Sequence, residues 1–266
     1  MTKIIKLFLA GAVSFYGNPA WAAVHQEVDV KVQQRTQKTF NGAPSAIPTE
    51  YGEIPNGLVL EKYILEMNNE KYMLDVEASN VGYNNQSIRA EGGEPGKMTW
   101  NFGWDEMFHL FSNEARSPYV DAGNGIMVLP SGYRSANQTK AAFSGLVKNT
   151  PYVGLGYSVD TGNMDLKFHP ARDLTVEVGA MRQTKQGTKG TTGSFGFSNA
   201  IEFAAPIDWT TYEAYLDLQK ANPVYQVGFN YRMSDFQNNI PNLYWDNPLR
   251  ITDQYGLAIE ASSWFL

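Results

Sequence analysis

There is no cysteine anywhere in the 266 residues. That excludes disulfide staples, thiolate metal sites and covalent haem attachment through a C-x-x-C-H motif. Histidine is nearly as scarce. His25, His109 and His169 lie far apart along the chain, and solvated or hydrogen-bonded imidazoles are a simpler reading than a shared metal. Past residue 23 the longest apolar runs are only a few residues, and charges interrupt them steadily. No segment supplies the roughly 20 apolar residues that a membrane-spanning helix needs. Positive charge is in deficit too, with 21 Lys and Arg against 27 Asp and Glu and no basic cluster, which argues against a nucleic-acid partner. Catalytic motifs are also missing. Gly187 to Ser194 is rich in Gly and Thr but lacks the Gly-Lys-Ser/Thr ending of a phosphate-binding loop. Asp105, Glu106 and His109 sit together with no nucleophile motif beside them, so they read as lumen, turn or partner-contact residues rather than as acid–base machinery. The chain does not read as an enzyme.

What is present begins at the N-terminus. Lys3 and Lys6 precede the apolar stretch Leu7 to Val13, and Ala20-Trp21-Ala22 supplies an A-x-A cleavage site. Charged, apolar and small residues in that order predict a secretory signal peptide over residues 1–22. Its removal takes away Lys3 and Lys6 and leaves 19 basic against 27 acidic residues, a net charge near −8. Export without a membrane helix leaves a periplasmic, secreted or outer-membrane protein.

The mature chain carries many aromatics (15 Tyr, 14 Phe, 6 Trp) and 24 Gly, a composition suited to strands that alternate polar and apolar residues. The alternation is explicit. From Lys97 to Asp105, Met98, Trp100, Phe102 and Trp104 occupy every even position, and the odd ones are polar or glycine. Residues 71–79 repeat it with Tyr72, Leu74, Val76 and Ala78. Met164, Leu166 and Phe168 do so again, then Leu174, Val176, Val178 and Ala180 after a short turn at Pro170-Ala171-Arg172. Tyr212, Ala214, Leu216 and Leu218 lead through another turn to Tyr225, Val227, Phe229, Tyr231 and Met233. A period of two places each set on one face of a strand.

Several runs reach about 9 to 11 residues, the length a tilted strand needs to cross a bilayer and longer than the ~5–6 usual in soluble sheets. The predicted fold is therefore all-β, an antiparallel transmembrane barrel of outer-membrane type with its apolar faces toward lipid. Asp75, Glu77, Arg89, Glu91, Asp105, His109, Glu177, Glu213, Asp217 and Arg232 are the candidates for lumen or partner-facing positions. Tyr72, Trp104, Tyr212, Tyr225 and Tyr231 are candidates for interfacial girdles. A soluble β-sandwich with its apolar faces inward has the same period and stays open as an alternative. Along the chain, residues 23–56 are expected to form an irregular periplasmic arm and residues 57–266 the barrel region. Within the latter, 106–150 is expected to hold a long loop with some irregular strand. The polar run Gln183 to Gly190 is expected to be a surface loop.

Three ordered blocks resemble the MtrB/PioB family of outer-membrane barrels. The first is Gly82 to Gly93, followed by Trp104-Asp105-Glu106-Met107-Phe108-His109 and Ser112 to Tyr119, with Leu129-Pro130 downstream. The second is Ser194 to Ala200 with Glu202 and Pro206-Ile207-Asp208. The third is Leu243 to Arg250 with Thr252-Asp253. The resemblance covers about residues 57 to 255. It implies a barrel that sheathes a periplasmic decahaem c-type cytochrome and so forms an electron conduit across the outer membrane. An extracellular multihaem cytochrome is a further candidate partner, and outer-membrane lipid surrounds the wall. The resemblance also implies that this chain binds no cofactor directly and that haem belongs to the partner.

This sequence departs from the family in two ways. Some members carry an N-terminal C-x-x-C pair, which is missing here. Members are also much longer, whereas about nine or ten strands are recognisable in this chain. A barrel of about eight strands is filled by its own side chains, so the expectation is the N-terminal portion of a larger barrel. The residues from Tyr255 to Leu266 alternate loosely and end in aromatics, as terminal barrel strands do. A general porin, with lumen charges setting solute selectivity, is the alternative function. N-terminal sequencing of the membrane-inserted protein should return Ala23; an intact Met1 would refute the signal peptide.

Overall fold

The computed structural model describes residues 5–8, 23–33, 39–40, 43–44, 50–51, 57–133, 139–196 and 199–250. The cleavage-site residues, Phe197, Ser198, Thr252-Asp253 and the 255–266 ending lie outside the described residues. Among the described residues fifteen strands occur in chain order: β1 (Ile5–Phe8), β2 (Ala23–Gln33), β3 (Thr39–Phe40), β4 (Ala43–Pro44), β5 (Gly57–Asn68), β6 (Met73–Val81), β7 (Ser87–Glu94), β8 (Met98–Arg116), β9 (Val120–Asp121), β10 (Ile126–Val128), β11 (Tyr152–Ala171), β12 (Leu174–Gly196), β13 (Asn199–Ala221), β14 (Gln226–Asn238) and β15 (Tyr244–Trp245). Among the described residues a helix, α1 (Lys140–Asn149), precedes β11. Ten strands make one sheet in the order β1-β2-β5-β6-β7-β8-β11-β12-β13-β14, each antiparallel to its neighbour. The sheet is an open meander, as an incomplete barrel requires.

Tight turns join the strands at one end. Asn69 Oδ1 accepts hydrogen bonds from the backbone N–H groups of Lys71 (2.8 Å) and Tyr72 (2.6 Å). Asn222 does the same for Val224 (2.9 Å) and Tyr225 (3.0 Å), with Pro223 setting the first bend. Between β7 and β8 the turn Glu94-Pro95-Gly96-Lys97 places Gly96 at φ +81°, which suits the third position of a type II turn. The opposite end of the sheet holds the long connections, including all of residues 117–151 between β8 and β11.

The cross-strand register makes the sequence alternation continuous across the sheet. One row reads Gly92, Trp100, Leu166, Val178, Leu216, Tyr231; the next reads Ala90, Phe102, Met164, Ala180, Ala214, Met233. This face has no covering layer. Met98 is 41% exposed, Met164 50% and Phe229 55%. A sandwich would bury these side chains, so the exposed face excludes that alternative and matches a wall made for lipid. The apolar band runs from Met98 to Trp104 on β8, about 20 Å at ~3.3 Å per residue before tilt, comparable with the roughly 25 Å apolar belt of outer-membrane barrels.

Several expectations change. Residues 23–33, placed in an irregular arm, form β2 and pair along their length with β5. Residues 106–116, in the stretch expected to hold a long loop with some irregular strand, continue β8 as regular strand and pair with β11. Gln183 to Gly190 is no loop: it lies inside β12, opposite residues 204–211 of β13. Its polar composition is polar on both faces because these strands continue past the apolar band. β12 and β13 have 23 residues each, about twice what a bilayer crossing takes. Of the proposed girdle aromatics, Trp104 and Tyr212 do share the row that borders the band, whereas Tyr231 sits within the band beside Leu216. Leu216→Arg should destabilise the inserted protein by roughly 2–4 kcal/mol, and Glu213→Gln, on the opposite face, far less. Equal losses in a urea titration would contradict the facing.

Candidate functional site

The other face of the same sheet carries the charge. Register puts Asp75, Glu77, Arg89, Glu91, Asp105, His109, Glu177, Glu213, Asp217 and Arg232 all on it. They do not converge on one point. Asp75 and Glu91 are paired across β6 and β7, with Glu66 beside Asp75 on β5, so three carboxylates stand in one row. Glu77 faces Arg89, an opposite-charge pair of the kind that favours register. Asp105 pairs with Thr161, and Glu213 lies between Met181 and Ser234.

The densest network centres on Tyr215, which sequence reasoning passed over. Its hydroxyl donates to Asp165 Oδ1 at 2.7 Å, and Glu177 Oε1 lies 3.0 Å away. Lys167 Nζ approaches Glu177 at 3.7 Å and offsets the second carboxylate. The Arg232 guanidinium lies 5.2 Å from the Tyr215 ring centre, and Asn230 donates to Asp217. Gly179 makes this possible: a Cβ there would overlap both the Tyr215 ring and the Asp165 carboxylate. The tyrosine therefore lies flat across β12 to reach β11. The sequence signal was available, because Tyr215 is an aromatic at polar parity beside a glycine-bearing strand.

Beyond the band the same face becomes aromatic. His109 stacks on Tyr51 at 4.5 Å and meets Phe111 at 4.3 Å, and its Nε2 lies 3.4 Å from Glu50. It was grouped with Asp105 and Glu106, yet Glu106 belongs to the apolar parity and instead accepts from Trp104 Nε1 at 2.9 Å and Gln86 at 2.7 Å. Lys185 Nζ lies 3.7 Å from the Tyr157 ring centre and 5.2 Å from that of Trp209. Lys189 lies 5.7 Å from Trp209. At the short-turn end, the hydrogen bond with Tyr72 and the nearby Glu94 carboxylate hold the exposed Lys71 ammonium above its ordinary value.

Farther along, a small folded cap covers this face. β10 pairs in parallel with β15 and antiparallel with β9. α1 is capped by Thr139, whose side chain accepts from Ala142 N at 3.1 Å. Tyr119, Met127, Leu129, Tyr133 and Leu243 are buried against Ile201, Phe203 and Ala205 of β13, with Phe143, Leu146 and Trp245 around them. Burial pushes the Tyr133 phenol up. Asp246 stitches the cap: its carboxylate accepts from Leu129 N at 2.9 Å and its carbonyl from Tyr119 Oη at 2.7 Å. Ile201, Phe203, Ala205 and Ile207 have odd parity, the parity of Glu213 and Asp217, so the cap sits on the charged side of the wall.

Residues 60–259 match the MtrB/PioB family, described as an outer membrane beta-barrel porin. Outer membrane protein MtrB of Shewanella baltica (strain OS185) is 23% identical over 181 residues, which cover 68% of this chain and 26% of that protein. The chain thus spans about a quarter of the length of the curated relative it matches. The Tyr215–Gly179 contact yields a test. Gly179→Ala should cost ~1–3 kcal/mol in a denaturant titration and much less in a Tyr215→Ala background; strictly additive losses would show that the two do not interlock.

Proposed function

The chain belongs to the MtrB/PioB family of outer-membrane β-barrel porins, and on that premise we propose that it forms wall strands of a barrel sheathing a periplasmic multihaem c-type cytochrome. The observation that carries the proposal is the two-faced wall: one face apolar across the band and, behind it, an acidic and hydrogen-bonding face wide enough to line an aqueous or protein-filled lumen. Width matters, because barrel diameter grows with strand number and a lumen needs many more than eight strands. The 181 matched residues are 26% of the relative, which is therefore about 700 residues long, enough at this strand spacing for a wide barrel.

In this reading the wall insulates. It keeps lipid away from the haem chain, supplies carboxylates such as Asp75, Glu91 and Asp217 to a partner carrying complementary charge, and performs no chemistry itself. The decahaem partner carries all the haem; this chain, with no cysteine, contributes no covalent attachment. The N-terminal 22 residues act as the export signal, so the mature wall lacks β1 and starts from β2. Outer-membrane barrels place short turns in the periplasm and long loops outside, so the tall ends of β12 and β13 and the cap stand on the extracellular side, where an extracellular multihaem cytochrome would dock.

Liposomes loaded with a redox dye and given external reductant separate the readings. This chain alone should leave the dye oxidised, and a complete barrel of the family with its cytochrome should reduce it. Dye reduction by the chain alone would sink the sheath proposal. Leakage of small solutes through the chain with no cytochrome present would instead favour the porin.

A further inference from the structure

Lys185 and Lys189 are anomalous on the charged face. Nearer the band, Lys167 has the Glu177 carboxylate as its partner. Among the described residues Lys185 and Lys189 have no hydrogen-bond or ion-pair partner, only aromatic rings. The neighbouring carboxylates Glu202 and Asp208 have even parity and belong to the opposite face. Asp208 is engaged there by Gln186 and Asn239.

Lys189 also borders a small hollow, and Lys185 lies beside it against Trp209. Where β13 meets the cap segment after β14, a partly open hollow is lined by Lys189, Trp209, Asn238, Ile240 and Leu243. Trp209 meets Phe236 edge-on at 5.9 Å, and Lys185 Nζ lies 5.2 Å from its ring centre. The corner therefore combines an indole, an apolar floor, an amide and two ammonium groups without counter-ions. Apolar walls with a few converging polar groups are the usual make-up of a small-molecule site.

We propose that this corner binds a flat ring bearing a carboxylate, the ring against Trp209 and the apolar floor and the carboxylate between Lys185 and Lys189. Such a group has two sources, a free aromatic acid in the lumen or the carboxylate-bearing edge of a partner's planar prosthetic group. The second source rests on the sheath reading and the first does not.

The probe is 2-naphthoate, followed by equilibrium dialysis against the full chain in detergent micelles, with neutral 2-naphthalenemethanol as control. Naphthoate should bind saturably and more weakly as salt rises, and the alcohol should bind at least tenfold more weakly. Lys185→Gln with Lys189→Gln should lose at least tenfold in affinity, and the paired Arg variants, which keep the charge and report on folding, should retain it. Absence of saturable naphthoate binding, equal binding of acid and alcohol, or undiminished binding to the Gln pair would overturn the site. Haemin and its dimethyl ester then assign the source. Displacement of naphthoate by haemin alone supports a macrocycle edge; failure of haemin to displace bound naphthoate limits the site to small free acids and leaves the sheath reading to its own test.

Discussion

An extended chain in an apolar layer must satisfy every backbone N–H and C=O by pairing sideways, and the ladder that results allows side chains only two directions. Everything else about this wall follows from that restriction. The row Trp100, Leu166, Val178, Leu216, Tyr231 is apolar because all five residues point the same way, and the intervening positions have to carry the polar function. Large rings are accommodated by emptying the neighbouring position. Trp100 lies over Gly92, where a Cβ would come within 2.7 Å of the indole, and Trp104 lies over Gly162 at 3.2 Å. Tyr215 over Gly179 is the same device on the polar side.

β13 shows how one strand serves two environments. Its even residues Tyr212, Ala214, Leu216 and Leu218 are apolar near the short turns, and its odd residues Ile201, Phe203, Ala205 and Ile207 are apolar near the far end. The pleat does not change between them; what changes is which side has something apolar to touch. In the lower half that is lipid on one face, and in the upper half it is the cap on the other.

That contrast explains what could be read from the sequence. The strands at 71–79, 97–105, 164–168 and 212–218, the facing of their residues and the polarity of Glu177, Asp217 and Arg232 all follow from period two. The run at 183–190 has the glycine and threonine content of a loop and yet is strand. Its extended conformation comes from pairing with residues 204–211, which no local pattern reports. β2 does carry the alternation, with Val24, Val28, Val30 and Val32 against His25, Glu27, Asp29 and Lys31 and Gln26 out of pattern, but its partner β5 lies beyond a long connection. The Tyr215 network and the cap were invisible as constellations, since Asp165 and Tyr215 are fifty residues apart and Tyr119 and Asp246 farther still. The change of parity in β13 was nevertheless on view and marks the border between the two halves.

The same border limits how such a wall can change over generations. A one-residue insertion between Ile207 and Tyr212 would turn every side chain on one side of it to the wrong face unless a bulge absorbed it. Leu216 would then point into the lumen, or Phe203 away from the cap. Insertions or deletions of two residues keep both faces in phase and merely raise or lower the cap above the membrane. Homologous walls of this design should therefore differ in height here by even numbers of residues, while turns and the β8–β11 connection are free to vary by any number.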